Sequence, residues 1–503
     1  MIERVRTSIY PLGAALLCAG AVLLSQTAVT GEPFLVKPYL QLGDAPELAK
    51  QESLVLMWHT SGRSVAWSVE VRTAKDSNWR KMSEPQATAV SAPAGPPEVA
   101  GKYGAKKDGP GSAAIPVHLV YRAALTNLEP GQEFSYRVLR EGKDVFSATG
   151  HARKSARQSY RFVLFGDCAA GTPSENAVAY QASLAHPDFV FIPGDIVYTA
   201  GRISEYRTKF FPVYNADTPS AERGAPLLRS IPFIASPGNH DTALQNFPRF
   251  PDALAYFLYW DQPLNGPTMS SRAMKGSHVA GASEEAQHLF EAGAKPRYPR
   301  MANFSFDYGN SHWVVLDANS YMDWDDAGLR EWLSKDLEKA HSAAFRFVGF
   351  HHPGFNSSKA HFTDQWMRTL SPIFEAKHVD IVFAGHVHNY QRSHPMTFAP
   401  KPQPDGASKG PKGEVAGEWT LDSQFGDGGK GKPKGVIYIV SGAGGASLYN
   451  PEQENNQASW QPFTNKFISH THSMSVVDVN GKTLQFRQVS ETGEEVDAFR
   501  IAK

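Results

Sequence analysis

Short apolar segments with alternating polar positions recur through the first part of the chain. The clearest of them lie between residues 33 and 155, separated by turn-rich pieces such as Glu129-Pro130-Gly131: SLVLMWHT, AWSVEVRT, IPVHLVYRAAL and EFSYRVLREG. A period of two predicts strands that bury one face, and several short strands at this spacing indicate an all-β sandwich. No reactive side chains cluster in this sequence, so we interpret the region as a packing or substrate-shaping module.

From Tyr160 onward, apolar runs alternate with helical segments. The runs predict buried strands, and each ends in polar residues: YRFVLFGD, DFVFIPGD, IPFIASPGNHD, SHWVVLD, FRFVGFHHP and VDIVFAGHVH. Pro173 opens a helix predicted over residues 173–186, and apolar residues share one face of a second helix over residues 326–341. This alternation predicts an α/β domain, whose sites lie at the carboxyl ends of strands.

The pattern is interrupted over residues 397–434, which are rich in Pro, Gly and Lys and have no apolar period. We interpret this segment as a flexible insertion. Residues 435–503 then complete the domain with further strands, two of which are joined by the hairpin signal Asn480-Gly481. The glycine run at residues 442–445 lacks the Gly-Lys-Ser/Thr of a phosphate loop and predicts a tight turn near the site.

The length of 503 residues predicts two or three domains. Lys and Arg together number 50, as do Asp and Glu, so the formal net charge is zero. This balance argues against nucleic acid or anionic lipid as the main partner.

The N-terminal residues 1–31 have the pattern of a secretory signal peptide. Two arginines precede an apolar run from Leu12 to Leu24, which is short for a membrane span, and small and polar residues follow. An uncleaved signal anchor is the alternative. If the signal is removed, Cys18 leaves with it and Cys168 remains as the one cysteine, which excludes an internal disulfide. We expect a secreted or periplasmic protein.

Polar groups with metal-binding chemistry follow the predicted strands. In Gly385-His386-Val387-His388, the two histidines stand one residue apart, and in extended chain such residues point the same way. A site with two metal ions needs about seven donor groups, with one carboxylate shared between the ions. The strand-end groups that supply this number are Asp167, Asp195, Tyr198, Asn239, His351, His386 and His388.

The order GD…GDxxY…GNHD…VxxH…GHxH resembles that of the calcineurin-like metallophosphoesterases, and more narrowly that of the purple acid phosphatases. The segments KPYLQ, SLVLMWHT and LEPGQEFSYRV are similar to the fibronectin-like N-terminal domain of that family. The resemblance implies a multidomain fold. A fibronectin-like β sandwich over residues 33–155 would be followed by a four-layer αββα metallophosphoesterase domain over residues 158–503.

The resemblance also implies the ligand set. One metal ion would be bound by Asp167, Asp195, Tyr198 and His388, and the other by Asp195, Asn239, His351 and His386, with Asp195 bridging. Many relatives carry a metal-binding histidine where this chain has Ala169, and here Tyr198 supplies a phenolate, which suits a ferric ion. Fe(III) with a divalent ion (Zn, Mn or Fe) is therefore the expected pair.

Further residues match catalytic positions of the family. His240 resembles the histidine that binds the phosphate, and His361 the histidine proposed to protonate the leaving group, although the family's preceding histidine is replaced by Ala360. Asp241 could orient His240 or cap the segment that follows. His352, if the chain is extended there, would point away from the metals.

The resemblance implies an exported phosphatase that hydrolyses phosphate monoesters through in-line attack of a metal-bound hydroxide. The partner would be a small phosphate ester, with no nucleic acid scaffold and no membrane span after signal removal. A phosphodiesterase on nucleotide or phospholipid substrates is the nearer alternative, since its metals would contact the same phosphoryl group. A non-catalytic extracellular binding protein is a more distant alternative that predicts degraded ligands.

Overall fold

The structure, a computed structural model, describes residues 32–97, 111–425 and 431–503. Residues 34–503 belong to one unit, and the predicted signal peptide over residues 1–31 lies outside the described part. No helix within the described residues has the length and apolar character that a membrane crossing requires.

Within the described part of residues 34–151, the elements are strands arranged in two antiparallel sheets of four. They are β1 (Val36–Gln41), β2 (Glu52–Ser61), β3 (Trp67–Thr73), β4 (Arg80–Lys81), β5 (Gln86–Ala92), β6 (Ile115–Leu128), β7 (Glu133–Arg140) and β8 (Lys143–His151). One sheet has the order β1-β2-β6-β5 and the other β4-β3-β7-β8. Alternating apolar residues from both sheets, including Trp58 and Tyr136, share one core. The likeness to a fibronectin domain stays a prediction.

Two larger sheets follow. Their strands, with a separate two-stranded hairpin of β17 and β18, are β9 (Tyr160–Leu164), β10 (Phe189–Pro193), β11 (Phe233–Ser236), β12 (Phe304–Tyr308), β13 (Ser311–Val315), β14 (Phe345–Gly349), β15 (Ile381–Ala384), β16 (Tyr390–Ser393), β17 (Met396–Pro400), β18 (Gly417–Leu421), β19 (Ile437–Ser441), β20 (Thr464–Ile468), β21 (Ser473–Asn480), β22 (Thr483–Ser490) and β23 (Glu495–Ala502). The strand orders are β11-β10-β9-β21-β22-β23 and β12-β13-β14-β15-β19-β16-β20.

Helices cover the outer faces of these two sheets. Those of the described residues are α1 (Pro173–Leu184), α2 (Ile203–Glu205), α3 (Phe211–Tyr214), α4 (Asn239–Thr242), α5 (Asn246–Arg249), α6 (Tyr256–Tyr259), α7 (Glu284–Ala294), α8 (Ala327–Lys339) and α9 (Ser371–Ala376). Aromatic side chains such as Phe162 and Trp313 fill the space between the sheets. Helix α1 packs on the outside of the first sheet, and α8 and α9 on the outside of the second. The layers are therefore helix, sheet, sheet and helix.

The runs predicted to be strands and the two predicted helices are present, with boundaries that differ by a few residues. Thr172 and Asp326 cap α1 and α8 by accepting hydrogen bonds from backbone N–H groups, which is why the helices start there. The hairpin at Asn480-Gly481 pairs Asn480 with Thr483.

The predicted insertion over residues 397–434 is corrected in part. Strands β17 and β18 pair antiparallel within it, and Phe398 and Val415 are buried beneath the second sheet. The sequence pattern missed this hairpin because one face of each strand is polar and the segment between them is turn-rich.

Parallel pairing decides where the strand ends meet. Strands β9, β10 and β11 run parallel in the first sheet, as do β13, β14, β15 and β19 in the second. Their carboxyl ends therefore lie along corresponding edges of two stacked sheets, and the loops that follow them converge.

Candidate metal centre

The loops after these strands bring the predicted ligands together. Asp167 follows β9, and Asp195 and Tyr198 follow β10. Asn239 follows β11, His351 follows β14, and His386 and His388 follow β15. All of them are buried except Asn239, which is partly exposed.

Three of these residues have a left-handed backbone, with φ of 56° at Asp167, 49° at Asp195 and 68° at His386. Each comes directly after a glycine at the end of a strand. Non-glycine residues adopt this conformation at a cost of about 1–2 kcal/mol, and such strain concentrates at functional sites. At each of these residues the chain leaves the extended conformation, so the side chain does not continue the alternating pattern of the strand.

The phenol of Tyr198 lies at the centre of the first group. Its Oη is 3.1 Å from Asp167 Oδ1, 3.2 Å from Asp195 Oδ2 and 3.1 Å from His388 Nε2. The four residues predicted to bind the first ion thus converge on one point.

The second group gathers around the other oxygen of the same carboxylate. His351 Nε2 is 3.2 Å from Asp195 Oδ1 and 3.1 Å from Asn239 Oδ1. His386 belongs to the same cluster, in which ligand atoms of Asp195, His351 and His386 all lie within 4.8 Å of one another. The two oxygens of Asp195 therefore face different groups of donors, as a bridging carboxylate requires.

Each of the three histidines has an outer partner that fixes its ring. Nδ1 of His351 donates to the Pro193 carbonyl at 2.8 Å, and Nδ1 of His388 donates to the Ser447 carbonyl at 2.8 Å. A carbonyl only accepts, so Nδ1 carries a proton in both rings, and in their neutral form Nε2 is the acceptor that faces the centre. His386 has the opposite arrangement, with Nε2 3.0 Å from Asp364 Oδ2, which leaves Nδ1 for the centre. Such outer partners are typical of metal-binding histidines.

The electrostatics of the cluster show how closely its charges are coupled. Burial, together with Asp167 and Asp195, raises the pKa of Tyr198 well above its usual value. Burial opposes the charge of Asp195, yet His351 and His240 hold the pKa of this carboxyl well below its usual range. Burial likewise opposes the charge of His351, but Asp195 raises its pKa to about 9. A cation between these groups would favour the anionic forms of both Asp195 and Tyr198.

The predicted phosphate-binding residue His240 borders both groups. Its backbone N–H donates to Asp195 Oδ1 at 2.8 Å, and its ring lies 4.5 Å from that of Tyr198. Its Nδ1 is 2.6 Å from the Thr199 carbonyl, so the ring is anchored to the loop after β10.

Asp241 is fully buried and accepts backbone hydrogen bonds. Its donors are the N–H groups of Gly238 at 2.8 Å and Ile196 at 3.1 Å. Burial and the nearby Asp195 raise its pKa to about 8. Asp241 therefore ties the turn of α4 to the loop after β10.

His361 lies at the mouth of the site. Its ring is 4.0 Å from that of His386, and Nδ1 is 3.2 Å from Asp364 Oδ2. The side chain keeps 37% of its surface exposed, so a substrate can reach it.

Sequence reasoning missed Asp364 and Tyr449. Asp364 contacts both His361 and His386, and the ring of Tyr449 stacks on that of His388 at 4.0 Å. The one available signal for Asp364 was its spacing of three residues from His361. The extended chain assumed for His352 is not found, since the chain bends there, and its buried ring lies 4.2 Å from that of His386.

The donors fit a pair of metal ions. Two carboxylates, a phenol, an amide oxygen and three imidazoles converge from five separate loops. Oxygen donors outnumber imidazoles on one side, whereas the other side has two oxygen donors and two imidazoles. The Asp195 carboxylate lies between the two sides. Cys168, next to Asp167 in the chain, is fully buried.

Comparison with known proteins points to one family. Residues 160–390 match the sequence model of the calcineurin-like phosphoesterases. Purple acid phosphatase 23 of Arabidopsis thaliana is 25% identical over 302 residues, which is 54% of this chain and 57% of the relative, so the match spans little more than half of that protein.

Two solved structures share the fold. Purple acid phosphatase PPD1 from yellow lupin (Lupinus luteus) has a TM-score of 0.61 at 18% identity, covering 92% of this chain and 74% of that one. PhoD has a TM-score of 0.53 at 12% identity, covering 93% of both chains. The segment that matches the calcineurin-like phosphoesterases therefore ends at the loop that carries His388, and the chain is similar to purple acid phosphatases in sequence and in fold.

Proposed function

We propose that this protein hydrolyses phosphate monoesters at a dinuclear metal site. The observation that carries the proposal is the placement of Asp195, whose Oδ1 faces His351 at 3.2 Å while Oδ2 faces Tyr198 at 3.2 Å. A pair of metal ions supplies an activated water and clamps the attacking and leaving oxygens of an in-line displacement.

The ligands proposed for the two ions are those of the two groups. Asp167, Tyr198 and His388 would hold one ion, Asn239, His351 and His386 the other, and Asp195 both. A buried phenolate is a hard anionic donor, which favours Fe(III) on the Tyr198 side. Imidazoles and an amide favour a divalent ion such as Zn, Mn or Fe on the other.

Two histidines would act on the substrate. His240 borders both groups, and its doubly protonated form would donate a hydrogen bond from Nε2 to the phosphate, because Nδ1 is bound to the Thr199 carbonyl. His361 is partly exposed beside the second group, and it would protonate the leaving oxygen. Asp364 would hold the His361 ring through Nδ1, which leaves Nε2 toward the mouth. Asp241 would act through the backbone of the turn that carries His240.

The location and domain organisation belong to the same proposal. Arginines followed by an apolar run in residues 1–31 favour export, to the periplasm or the medium. We assign residues 33–155 to a fibronectin-like domain and residues 158–503 to the metallophosphoesterase domain. The two four-stranded sheets and the two larger sheets support this division.

The test is metal analysis of the purified protein together with turnover of aryl phosphate monoesters and diesters. We expect about two ions per chain and faster turnover of the monoester. Asp195→Asn should lower kcat/KM by at least about 1,000-fold, because an amide cannot bridge two cations as a carboxylate does. Asp325→Asn, at a partly exposed carboxylate bound to Ser408, is the matched control. Full activity in Asp195→Asn would exclude this mechanism, and faster turnover of the diester would favour a phosphodiesterase.

A further inference from the structure

A closed ring of buried polar side chains lies behind the second group of ligands. Its members are Asp317, Asn319, Tyr321 and Thr242, none of which exposes more than 6% of its surface. Asp317 follows β13, a strand end to which neither the sequence motifs nor the proposed reaction gives a role. A carboxylate buried to this degree is costly unless it is fully hydrogen-bonded, so its partners are informative.

The hydrogen bonds of the ring engage every member. Tyr321 Oη donates to Asp317 Oδ2 at 2.8 Å and lies 2.8 Å from Thr242 Oγ1, which is also 3.2 Å from the Gly238 carbonyl. Asn319 Nδ2 donates to Asp317 Oδ1 at 2.8 Å and lies 3.2 Å from Thr242 Oγ1. Both oxygens of the carboxylate are therefore engaged.

The ring connects two parts of the candidate site. Thr242 is the last residue of α4, the short turn that begins with Asn239 and includes His240. On the other side, Asp317 follows Leu316, whose N–H donates to the Gly349 carbonyl at the end of β14, two residues before His351. The ring thus joins the turn carrying Asn239 and His240 to the strand end carrying His351.

The other group of ligands is held by different contacts. The backbone N–H of His386 donates to Asp167 Oδ2 at 2.8 Å, and the ring of His388 is held by the Ser447 carbonyl. No bond of the ring described above reaches Asp167, Tyr198 or His388 among the hydrogen bonds of the described residues. Damage to the ring should therefore affect one side of the centre more than the other.

We propose that Asp317 is a positioning residue that, through Tyr321, Asn319 and Thr242, holds the turn of Asn239 and His240 at the distance from His351 that the second ion needs. The inference rests on the proposed dinuclear site and adds to it a residue that sets the affinity of one ion selectively. A conservative substitution that removes one hydrogen bond of the ring should therefore weaken the binding of the second ion and leave the binding of the other ion unchanged.

The experiment compares Asp317→Asn and Tyr321→Phe with the wild-type protein in metal content and in competition with a chelator. We expect the affinity for the second ion, the one assigned to Asn239 and His351, to fall by about 10–100-fold, as is typical when outer partners of metal ligands are removed. The other ion should keep its affinity, and KM should rise as the hold on His240 loosens. Tyr321→Phe removes a single oxygen, so it tests the proposal even if Asp317→Asn folds poorly.

Tyr160→Phe is the matched control. Its hydroxyl is buried and donates to Ser311 Oγ at 2.6 Å, at the first residue of β13, whereas Asp317 follows the last. This variant also loses one buried hydrogen bond but should bind both ions as the wild type does. Unchanged ion binding in Tyr321→Phe and Asp317→Asn, or equal loss of both ions, would overturn the positioning role alone. A wild-type protein without two ions would overturn the proposed function as well.

Discussion

At the scale of single residues, Tyr198 distinguishes this site from sites that use a histidine in the first motif. Its hydroxyl is within 3.2 Å of donors from three different loops, so the ring is placed by tertiary contacts on every side. Since Ala169 occupies the position of the absent histidine, the phenol is the group that completes the first set of donors.

We predict that Tyr198→Phe selectively weakens the ion on the side of Asp167 and His388. Loss of one ligand from four should lower the affinity for that ion by at least about 10-fold. If the ion is ferric, the wild-type protein should show a visible tyrosinate-to-iron band that is absent from the variant. Absorption spectroscopy with metal analysis checks this. A band that persists in Tyr198→Phe would show that another group binds the iron.

At the scale of elements, the ends of the strands decide the geometry. Gly194 follows β10 with φ of 81°, and a Cβ at this position would lie 2.6 Å from His351 Nδ1. Glycine is required there for two independent reasons, the left-handed backbone and the close approach of the imidazole. The end of β10 and the ligand that follows β14, a strand of the other sheet, thus constrain each other.

Gly194→Ala should displace His351 and lower the affinity for the second ion by at least about 10-fold. Gly142→Ala is the control, because Gly142 has φ of 78° in a hairpin but nothing within 4 Å of the added Cβ. The control should lose only about 1–2 kcal/mol of stability and keep its metals. Denaturant unfolding and metal titration measure the two effects. Equal metal affinity in Gly194→Ala and Gly142→Ala would argue against the contact with His351.

At the scale of the whole molecule, buried histidines join the N-terminal sheet to the α/β layers. The ring of His59 lies 4.2 Å from that of Tyr259 in α6, and His118 Nε2 lies 2.9 Å from the hydroxyl of the same tyrosine. Burial, with Arg207 nearby, lowers the pKa of His118 to about 3. Burial and His118 also lower the pKa of His59 well below its usual value. Both rings are therefore neutral in the folded protein.

The lowered pKa of His118 in the folded protein predicts that acid destabilises the fold. An unfolded chain binds a proton at His118 near pH 6.5, whereas the folded chain binds it only near pH 3. Stability should therefore fall as the pH drops from about 6.5 to 3, by up to about 1.4 kcal/mol per pH unit for this residue.

Denaturant unfolding between pH 7.5 and 4 tests this prediction. His118→Gln does not titrate, so its free energy of unfolding should change less with pH than that of the wild type. His288→Gln, at an exposed position in α7, should leave the wild-type dependence intact. Identical pH dependence in His118→Gln and the wild type would contradict the assignment.

Much of the architecture was predictable because it depends on local patterns. The apolar runs ending in polar residues placed the strands before each ligand, and the predicted helices begin at the caps Thr172 and Asp326. The extended chain assumed at His352 is replaced by a bend, and the prediction was incomplete for β17 and β18. The bend at His352 and the pairing of β17 with β18 depend on packing against distant residues, which periodicity within one segment does not report.

By itself, the sequence determined which strand precedes each of the seven proposed ligands, because strand periodicity and the residues that end a strand are local properties. Only the tertiary structure decided that the two oxygens of Asp195 face different groups, that Asp364 contacts two histidines and that Asp317 closes a ring with Thr242. These contacts join loops far apart in the chain. Their distances follow from how the two sheets stack and how their strands are ordered.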